Sequence, residues 1–129
     1  MPKSILIVDD NRTVRQLVRT YLESQLEQVA CMEASDGMDA IEHVKRNKPD
    51  VIVLDVSMPV MNGLDAAPVL HDIAPQTPII LFTLHKDVVS EKRAKAVGIR
   101  AVVSKSDRIE VLVDHILHLT PIVRAAAHG

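Results

Sequence analysis

Residues 3–10, which read KSILIVDD, are the stretch that decides the fold. The apolar run Ile5 to Val8 is too short for a helix, and it ends in two adjacent carboxylates. A continuous apolar run of this length is typical of a strand buried on both faces. Similar runs recur along the chain, at Val51 to Leu54, Ile79 to Phe82 and Ala101 to Val103, with a weaker one at Val29 to Met32. The sequence therefore predicts five short buried strands.

Stretches with helical spacing separate these runs. Apolar residues recur at i, i+3, i+4, i+7 and i+8 over residues 14–22, and the pattern returns over residues 109–116. Weaker helical patterns cover residues 38–44 and 88–97, and Gly98 suits a left-handed helix end after the second of these. Strands that alternate with helices predict an α/β domain with a doubly wound, five-stranded parallel sheet and five helices.

Two helix starts carry specific expectations. Pro68 would break a helix that had already run more than a turn, so the helix after Asn62 is expected to start late or to kink. Asp107 with Glu110 three residues on resembles a capping box for the last helix. The domain is expected to span residues 1–120, followed by a frayed tail over residues 121–129.

Composition excludes several classes of function. The 129 residues are 47% hydrophobic, which is enough for one self-sufficient core. A net charge of -2 and an aromatic content of 2% provide neither the basic field nor the stacking surfaces of a nucleic-acid binder. The chain shows no signal segment or membrane span, and the lone Cys31 cannot form an internal disulfide. A cytoplasmic protein that binds neither nucleic acid nor membrane is expected.

Polar residues follow the apolar runs at the point where each predicted strand ends. Asp9 and Asp10 follow the first run, Asp55 the third, Thr83 the fourth, and Lys105 comes shortly after the fifth. Taken one at a time, such residues are usually helix caps or turn residues. Because the carboxyl ends of parallel strands share one edge of a sheet, all five side chains are expected to lie together.

This set of side chains has a definite chemistry. Three close carboxylates repel one another unless a cation lies among them, and an all-oxygen set with open positions suits Mg²⁺. One carboxylate can then act as a nucleophile, while Lys105 pairs with an incoming phosphoryl oxygen and Thr83 donates a hydrogen bond to it. The residues therefore favour phosphoryl transfer onto an aspartate.

The chain resembles the receiver domain of the two-component response-regulator family over nearly its whole length. The resemblance is carried by the pair Asp9-Asp10, the segment DVSMPVMNG at residues 55–63, Thr83 and Lys105. It implies that Asp55 is the phosphoacceptor, that Thr83 is the switch hydroxyl and that Lys105 binds the phosphoryl group.

The resemblance also implies the metal ligands, the fold and the partners. Asp10, Asp55 and the backbone carbonyl of Ser57 would hold Mg²⁺, with Asp9 assisting through water. The fold would be flavodoxin-like, with strand order 2-1-3-4-5. A histidine kinase or a histidine phosphotransfer protein would donate the phosphoryl group, and an unknown protein would respond to it. The chain would catalyse only its own phosphorylation and dephosphorylation, as a monomer or a phosphorylation-dependent dimer.

Three residues depart from the family pattern. Val102 stands where the family usually has an aromatic switch residue, and Leu84 stands where a small residue usually admits the phosphodonor. Ser106 follows the lysine in place of a proline whose peptide bond is usually cis. Val102 concerns the coupling of phosphorylation to the switch, Leu84 the access of the phosphodonor, and Ser106 the shape of the turn after Lys105.

The sequence leaves four alternative interpretations of the chain open. A haloacid dehalogenase type phosphatase needs two acids two positions apart on its first strand, whereas Asp9 and Asp10 are adjacent. A flavodoxin-like FMN carrier needs a hydroxyl-rich and glycine-rich phosphate loop in place of these two carboxylates. A degenerate receiver would bind partners without phosphorylation. The chain could also be the N-terminal fragment of a longer regulator.

Weaker signals lie outside the strand ends. Arg12, Arg15 and Arg19 form a row on the first predicted helix that favours a solvated face, or a steering surface for a kinase. His85, two residues after the threonine, is a candidate modifier of phosphoryl loss. Cys31 is expected to be a buried thiol in an edge strand.

Overall fold

The computed structural model describes residues 2–84 and 90–126. The elements in chain order are β1 (Lys3–Val8), α1 (Arg12–Gln25), β2 (Leu26–Glu27), β3 (Val29–Ala34), α2 (Gly37–Arg46), β4 (Val51–Leu54), α3 (Gly63–Ile73), β5 (Ile79–Thr83), α4 (Glu91–Ala96), β6 (Ile99–Ser104), α5 (Glu110–Leu119) and β7 (Val123–Arg124). Within these described ranges, no helix has both the length and the apolar character that crossing a membrane requires.

The main sheet has five parallel strands in the order β3-β1-β4-β5-β6. These are the second, first, third, fourth and fifth strands of that sheet along the chain, so the expected order 2-1-3-4-5 is confirmed. The two-residue strands β2 and β7 form a separate antiparallel pair. The apolar runs did not predict this pair, because two residues are too few for a strand pattern.

Helices cover both faces of the main sheet. Along β1, Leu6 and Val8 point to the core that α2, α3 and α4 close, while Ile5 and Ile7 point to the core that α1 and α5 close. Alternate residues of a strand face opposite sides, which is why continuous apolar runs are needed in a doubly wound sheet. The prediction of apolar strands buried on both faces is confirmed for Ile5 to Val8 of β1 and for β4 and β5.

The expectation of a late start for α3 is wrong, and so is the expectation of a capping box at α5. α3 begins at Gly63, directly after the N-cap Asn62, and runs through Pro68 to Ile73. The buried face of α3 packs in the core over its whole length, and this packing compensates for the hydrogen bond that a proline inside a helix removes. α5 begins at Glu110 without a side-chain cap, since the Asp107 carboxylate accepts a hydrogen bond from the Ser104 N–H at 3.3 Å.

The segment after α5 packs against the domain as far as it is described. Ile122 is buried beneath α1 and α5, and β7 pairs with β2, with Leu26 opposite Arg124. The Ala125 N–H extends this pairing by donating to the Gln25 carbonyl at 2.9 Å. The expectation of a frayed tail is therefore wrong for residues 121–126, because one apolar side chain anchors them. Residues 127–129 lie outside the described ranges.

Candidate functional site

The sheet brings the predicted strand-end residues to one edge. Val8 and Leu54 are register partners in β1 and β4, so the residues that follow them, Asp9 and Asp55, lie side by side. The Asp55 N–H donates to the Val8 carbonyl at 2.9 Å, which extends this ladder by one step. On the other side, the Lys105 N–H donates to the Thr83 carbonyl at 2.9 Å. The expected clustering at the carboxyl edge is thus present.

Three carboxylates meet at this edge. Oxygen atoms of Asp9, Asp10 and Asp55 lie within 4.8 Å of one another. Asp9 and Asp55 are buried, whereas Asp10 is exposed on the rim. We call these three residues together with Lys105 the acidic pocket. Its donor set fits Mg²⁺, because all the ligand atoms are oxygens and the exposed side leaves room for water and a further ligand.

Lys105 neutralises part of the negative charge. Its Nζ lies 2.5 Å from Asp9 Oδ2 and 3.4 Å from Asp55 Oδ2, and its side chain is 15% exposed. One ammonium among three carboxylates still leaves the acidic pocket negative when all three are ionised. This excess charge favours a divalent cation over an empty pocket.

Burial and charge oppose each other at Asp55. Burial raises the pKa of the Asp55 carboxyl above its ordinary value, and the nearby Asp9 carboxylate adds to this, while Lys105 acts in the lowering direction. At Lys105, burial alone would lower the pKa, but the hydrogen bond to Asp9 and the charge of Asp55 outweigh it and raise the pKa. The lysine therefore stays cationic. The negative charge of ionised Asp55 is only partly compensated, so a further cation would stabilise it.

Backbone contacts fix the position of Asp55. Its Oδ1 accepts a hydrogen bond from the Val56 N–H at 2.8 Å, and the Val56 carbonyl accepts one from the Gly63 N–H at 2.9 Å. A Cβ on Gly63 would lie 2.0 Å from the Asp55 carbonyl oxygen. Only glycine allows the start of α3 to pass this close to the backbone of Asp55. The motif at residues 55–63 contains Gly63, but its spacing gave no sign of this close contact.

The loop between β4 and α3 contains a tight turn. The Met61 N–H donates to the Pro59 carbonyl at 2.7 Å, and Val60 between them has a φ of 67°. A positive φ at a β-branched residue is rare and strained. The Gly37 N–H ties the loop to the start of α2 by donating to the Met61 carbonyl at 3.1 Å. Ser57 is exposed in this loop, and a metal-binding role for its carbonyl stays a prediction.

Thr83 and its neighbours define the side of the acidic pocket away from β1. Thr83 is fully buried at the end of β5, whereas the next residue, Leu84, is 64% exposed. Val102 is half-buried and packs on the face of the sheet that α4 covers. His85 lies outside the described residues.

The turn after Lys105 is built without proline. Cis peptide bonds are absent from the described residues, so Lys105 and Ser106 are joined in trans. The Ser106 N–H donates to Ser104 Oγ at 3.0 Å, and the Asp107 N–H donates to the Ser104 carbonyl at 3.0 Å. Ser104 and Asp107 thus hold the lysine turn, a role that their positions in the sequence did not predict.

The arginine row on α1 is not a solvated face throughout. Arg15 is 14% exposed and donates from Nε to Glu33 Oε1 at 3.0 Å, while Arg19 donates from Nη1 to Glu33 Oε2 at 3.1 Å. Burial alone would raise the pKa of Glu33, but these two hydrogen bonds outweigh it and lower the pKa. The helical spacing showed that these arginines share a face, but it gave no sign of Glu33 on β3.

Cys31 matches its expectation. The thiol is free and buried in β3, which is an edge strand of the main sheet. Burial raises the pKa of the Cys31 thiol to about 12. The residue is therefore part of the core and is protonated at neutral pH.

Comparison with known proteins decides the family. The family described as response regulator receiver domain matches residues 5–117. The chain belongs to this family. As a receiver domain it is a signalling module of two-component systems, which confirms the resemblance drawn from the strand-end residues.

Curated relatives carry receiver-like segments within longer proteins. The chain is 39% identical over 98 residues to a protein-glutamate methylesterase/protein-glutamine glutaminase of Pyrococcus abyssi, a match to 76% of this chain and 26% of that protein. It is 47% identical over 80 residues to the autoinducer 1 sensor kinase/phosphatase LuxN of Vibrio campbellii, covering 62% of this chain and 9% of the relative. The chain thus spans about a quarter or less of the length of these relatives.

Solved structures of similar size share the fold. The response regulator protein TrrA of Thermotoga maritima, in complex with Mg²⁺ and BeF, has a TM-score of 0.81 at 27% identity, covering 91% of this chain and 98% of that one. The chemotaxis protein CheY4 of Vibrio cholerae has a TM-score of 0.80, also at 27% identity, covering 92% and 99%. These matches confirm the flavodoxin-like architecture over nearly the whole described chain.

Proposed function

We propose that the chain accepts a phosphoryl group on Asp55 from a histidine kinase or a histidine phosphotransfer protein, and that phosphorylation changes its affinity for a protein partner. The observation that carries this proposal is the buried Asp55 carboxylate, 3.4 Å from Lys105 Nζ and clustered with two further carboxylates. A degenerate receiver is not favoured, because the side chains that phosphoryl transfer requires are all present at one edge.

The acidic pocket would bind Mg²⁺. The carboxylates of Asp10 and Asp55 and the Ser57 carbonyl would be direct ligands, and Asp9 would act through a bound water. When bound, Mg²⁺ supplies positive charge next to the transferring phosphoryl oxygens, which lowers the cost of bringing them against a carboxylate. Lys105 already pairs with Asp9 and Asp55, so the cation and the ammonium together would offset the charge of the three carboxylates.

The transfer itself is a nucleophilic displacement at phosphorus. An oxygen of ionised Asp55 forms a bond to phosphorus as the bond from phosphorus to the histidine nitrogen of the donor breaks, and the electron pair of the broken bond stays on that nitrogen. Lys105 would pair with one oxygen of the phosphoryl group, and the Thr83 hydroxyl would donate to another. Asp55 is held for the attack by the Val56 N–H.

The phosphoryl group would change the contacts of the switch residues. Its oxygens would compete with Asp9 for Lys105 and would draw the hydroxyl of Thr83 towards Asp55. Thr83 ends β5 and Lys105 follows β6, so both movements would reach the face formed by α4, β6 and α5. That face would bind the partner or a second copy of the chain. This chemistry would take place in the cytoplasm, within residues 1–120, and the chain would catalyse only its own phosphorylation and dephosphorylation.

Intact mass spectrometry with acetyl phosphate tests the proposal. The native chain and Asp72→Asn, a control at an exposed aspartate of α3, should each gain one phosphoryl group only when Mg²⁺ is present. Asp55→Asn should gain none. An equal adduct in Asp55→Asn, or no adduct in the native chain with either acetyl phosphate or phosphoramidate, would contradict the proposal and favour the degenerate receiver.

A further inference from the structure

Arg15 links the acidic pocket to α1 and to the edge strand β3. Its Nη1 donates to the backbone carbonyl of Asp9 at 2.6 Å, and its Nε donates to Glu33 Oε1 at 3.0 Å. The side chain is 14% exposed, so most of its length is packed in the protein. A planar guanidinium that donates to two acceptors on different segments is fixed in position and joins those segments.

The Asp9 carbonyl is the point where sheet pairing stops. The Asp9 N–H still donates to the Ala34 carbonyl at 3.1 Å, which is the last step beyond the ladder between β1 and β3. Asp9 lies one residue beyond the last register pair, Val8 with Ala34, and the Arg15 guanidinium supplies the donor for its carbonyl. Arg15 therefore replaces the strand partner that this carbonyl would have had in a longer sheet.

This carbonyl belongs to the peptide plane that joins Asp9 to Asp10. The Asp9 side chain is held independently, by the Asn11 N–H at 2.9 Å and by Lys105 Nζ at 2.5 Å. A peptide is planar, so fixing the carbonyl oxygen fixes the direction in which the chain leaves towards Asp10. The exposed Asp10 carboxylate then stays within 4.8 Å of the ligand oxygens of Asp9 and Asp55.

We propose that Arg15 is a positioning residue for the metal site: by holding the peptide between Asp9 and Asp10, it keeps the Asp10 carboxylate in place to bind Mg²⁺. Glu33 is its anchor on β3. This inference rests on the proposed function, because it assumes that the acidic pocket binds Mg²⁺. Arg15 itself touches neither the metal nor the phosphoryl group.

Arg19 provides a matched control on the same helix face. It has the same charge as Arg15 and donates to the same Glu33 carboxylate, at 3.1 Å. Its other ion pair is with Glu23, at 3.3 Å. Substituting either arginine by methionine removes one charge and one contact with Glu33. Of the two substitutions, only Arg15→Met also removes the hydrogen bond to the Asp9 carbonyl.

Calorimetric titration with Mg²⁺ alone tests the inference. Arg15→Met should raise the dissociation constant of Mg²⁺ by about 10-fold to 100-fold, the usual effect of losing a group that orients metal ligands. Arg19→Met should change it less than about 3-fold, and Arg15→Lys, which retains one donor group, should lie between native and Arg15→Met. Equal dissociation constants for Arg15→Met and Arg19→Met would overturn the inference.

The dependence of phosphorylation on Mg²⁺ gives a second readout that separates positioning from general destabilisation. With acetyl phosphate as donor, Arg15→Met should need more Mg²⁺ for half-maximal rate but should approach the native rate at saturating Mg²⁺. A rate that stays low at saturating Mg²⁺ would contradict the inference. If Arg15→Met does not fold, Glu33→Gln, which keeps Arg15 but removes its anchoring charge, should raise the half-saturating Mg²⁺ concentration in the same direction, and no rise would overturn the inference.

The two proposals fail in different ways. A native chain that binds no Mg²⁺ and forms no adduct would overturn the proposed function and this inference with it. A native chain that binds Mg²⁺ and is phosphorylated, with an Arg15→Met variant indistinguishable from Arg19→Met, would overturn the inference alone.

Discussion

Asp55 shows at the scale of one residue how a buried carboxyl costs stability. Its pKa is raised in the folded protein, first by burial and then by Asp9, and Lys105 offsets this only in part. A carboxyl whose folded pKa lies above its unfolded value of 3.8 contributes stability below that value. This contribution is lost as the pH rises through the folded pKa, so ionised Asp55 destabilises the protein at neutral pH.

Asp55→Asn should therefore stabilise the chain when divalent cations are absent. The expected gain is about 1 kcal/mol or more at pH 7, because the amide removes a buried charge. The difference from the native chain should shrink as the pH falls towards 4 and the native carboxyl protonates. Thermal unfolding in EDTA across this pH range measures it, with Asp72→Asn as the control. A native chain as stable as Asp55→Asn at pH 7 would show that Lys105 compensates fully.

Leu84 tests access to the acidic pocket. It is a bulky, exposed side chain directly after the buried Thr83, at the position where the family usually has a small residue that admits the donor. Leu84→Ala should speed phosphorylation by acetyl phosphate severalfold, since the smaller side chain opens the approach, and should leave the fold intact. Rates are followed by intact mass at fixed Mg²⁺, with the exposed Val69→Ala as control. Equal rates for Leu84→Ala and the native chain would remove the steric explanation.

At the scale of elements, the start of α3 depends on one glycine. Gly63→Ala would place a Cβ 2.0 Å from the Asp55 carbonyl oxygen, so the start of α3 and the end of β4 would have to separate. Overpacking of this kind costs about 1–3 kcal/mol, occasionally more. Denaturant unfolding should show the loss, and phosphorylation should slow because Asp55 moves. Unchanged stability and rate would mean that the loop at residues 56–62 absorbs the shift.

The C-terminal segment is a second element held by one side chain. Ile122 is 5% exposed and is the apolar anchor between α5 and the short strand β7. Ile122→Ala should cost about 2–4 kcal/mol, as for other buried isoleucines, and should release the pairing of β7 with β2. Denaturant unfolding gives the energy, and amide exchange at Ala125 reports the pairing. The exposed Val123→Ala should cost much less. Protection at Ala125 that survives Ile122→Ala would show that the backbone pairing alone holds the segment.

The elements also show where sequence patterns suffice and where they do not. Runs such as Val51 to Leu54 predicted their strands because a strand buried on both faces requires continuous apolar residues. The start of α5 could not be predicted, because the Asp107 carboxylate has two possible acceptor roles and only the turn at Ser104 selects between them. The late start that Pro68 predicted for α3 was wrong for a related reason, because tertiary packing outweighs a local helix breaker.

At the scale of the whole molecule, the topology of the parallel sheet determines where the residues of the candidate site lie. The parallel sheet alone places Asp9, Asp10, Asp55, Thr83 and Lys105 at one edge, which is why these five could be predicted from position in the sequence. The hydrogen bond between Arg15 and Glu33 could not be predicted, because it depends on the distance between α1 and β3 and not on any spacing within one element. The clustering of these five residues was thus predictable from the sequence, and the contacts that support them were not.

The most direct test of the account locates the phosphoryl group. The native chain is phosphorylated with acetyl phosphate and Mg²⁺, treated with borohydride, which reduces an aspartyl phosphate to homoserine, and mapped by peptide mass spectrometry. The account predicts homoserine at position 55 and none when Mg²⁺ is withheld. Homoserine at Asp9 or Asp10 instead, or conversion that is independent of Mg²⁺, would contradict the assignment of Asp55 as the phosphoacceptor.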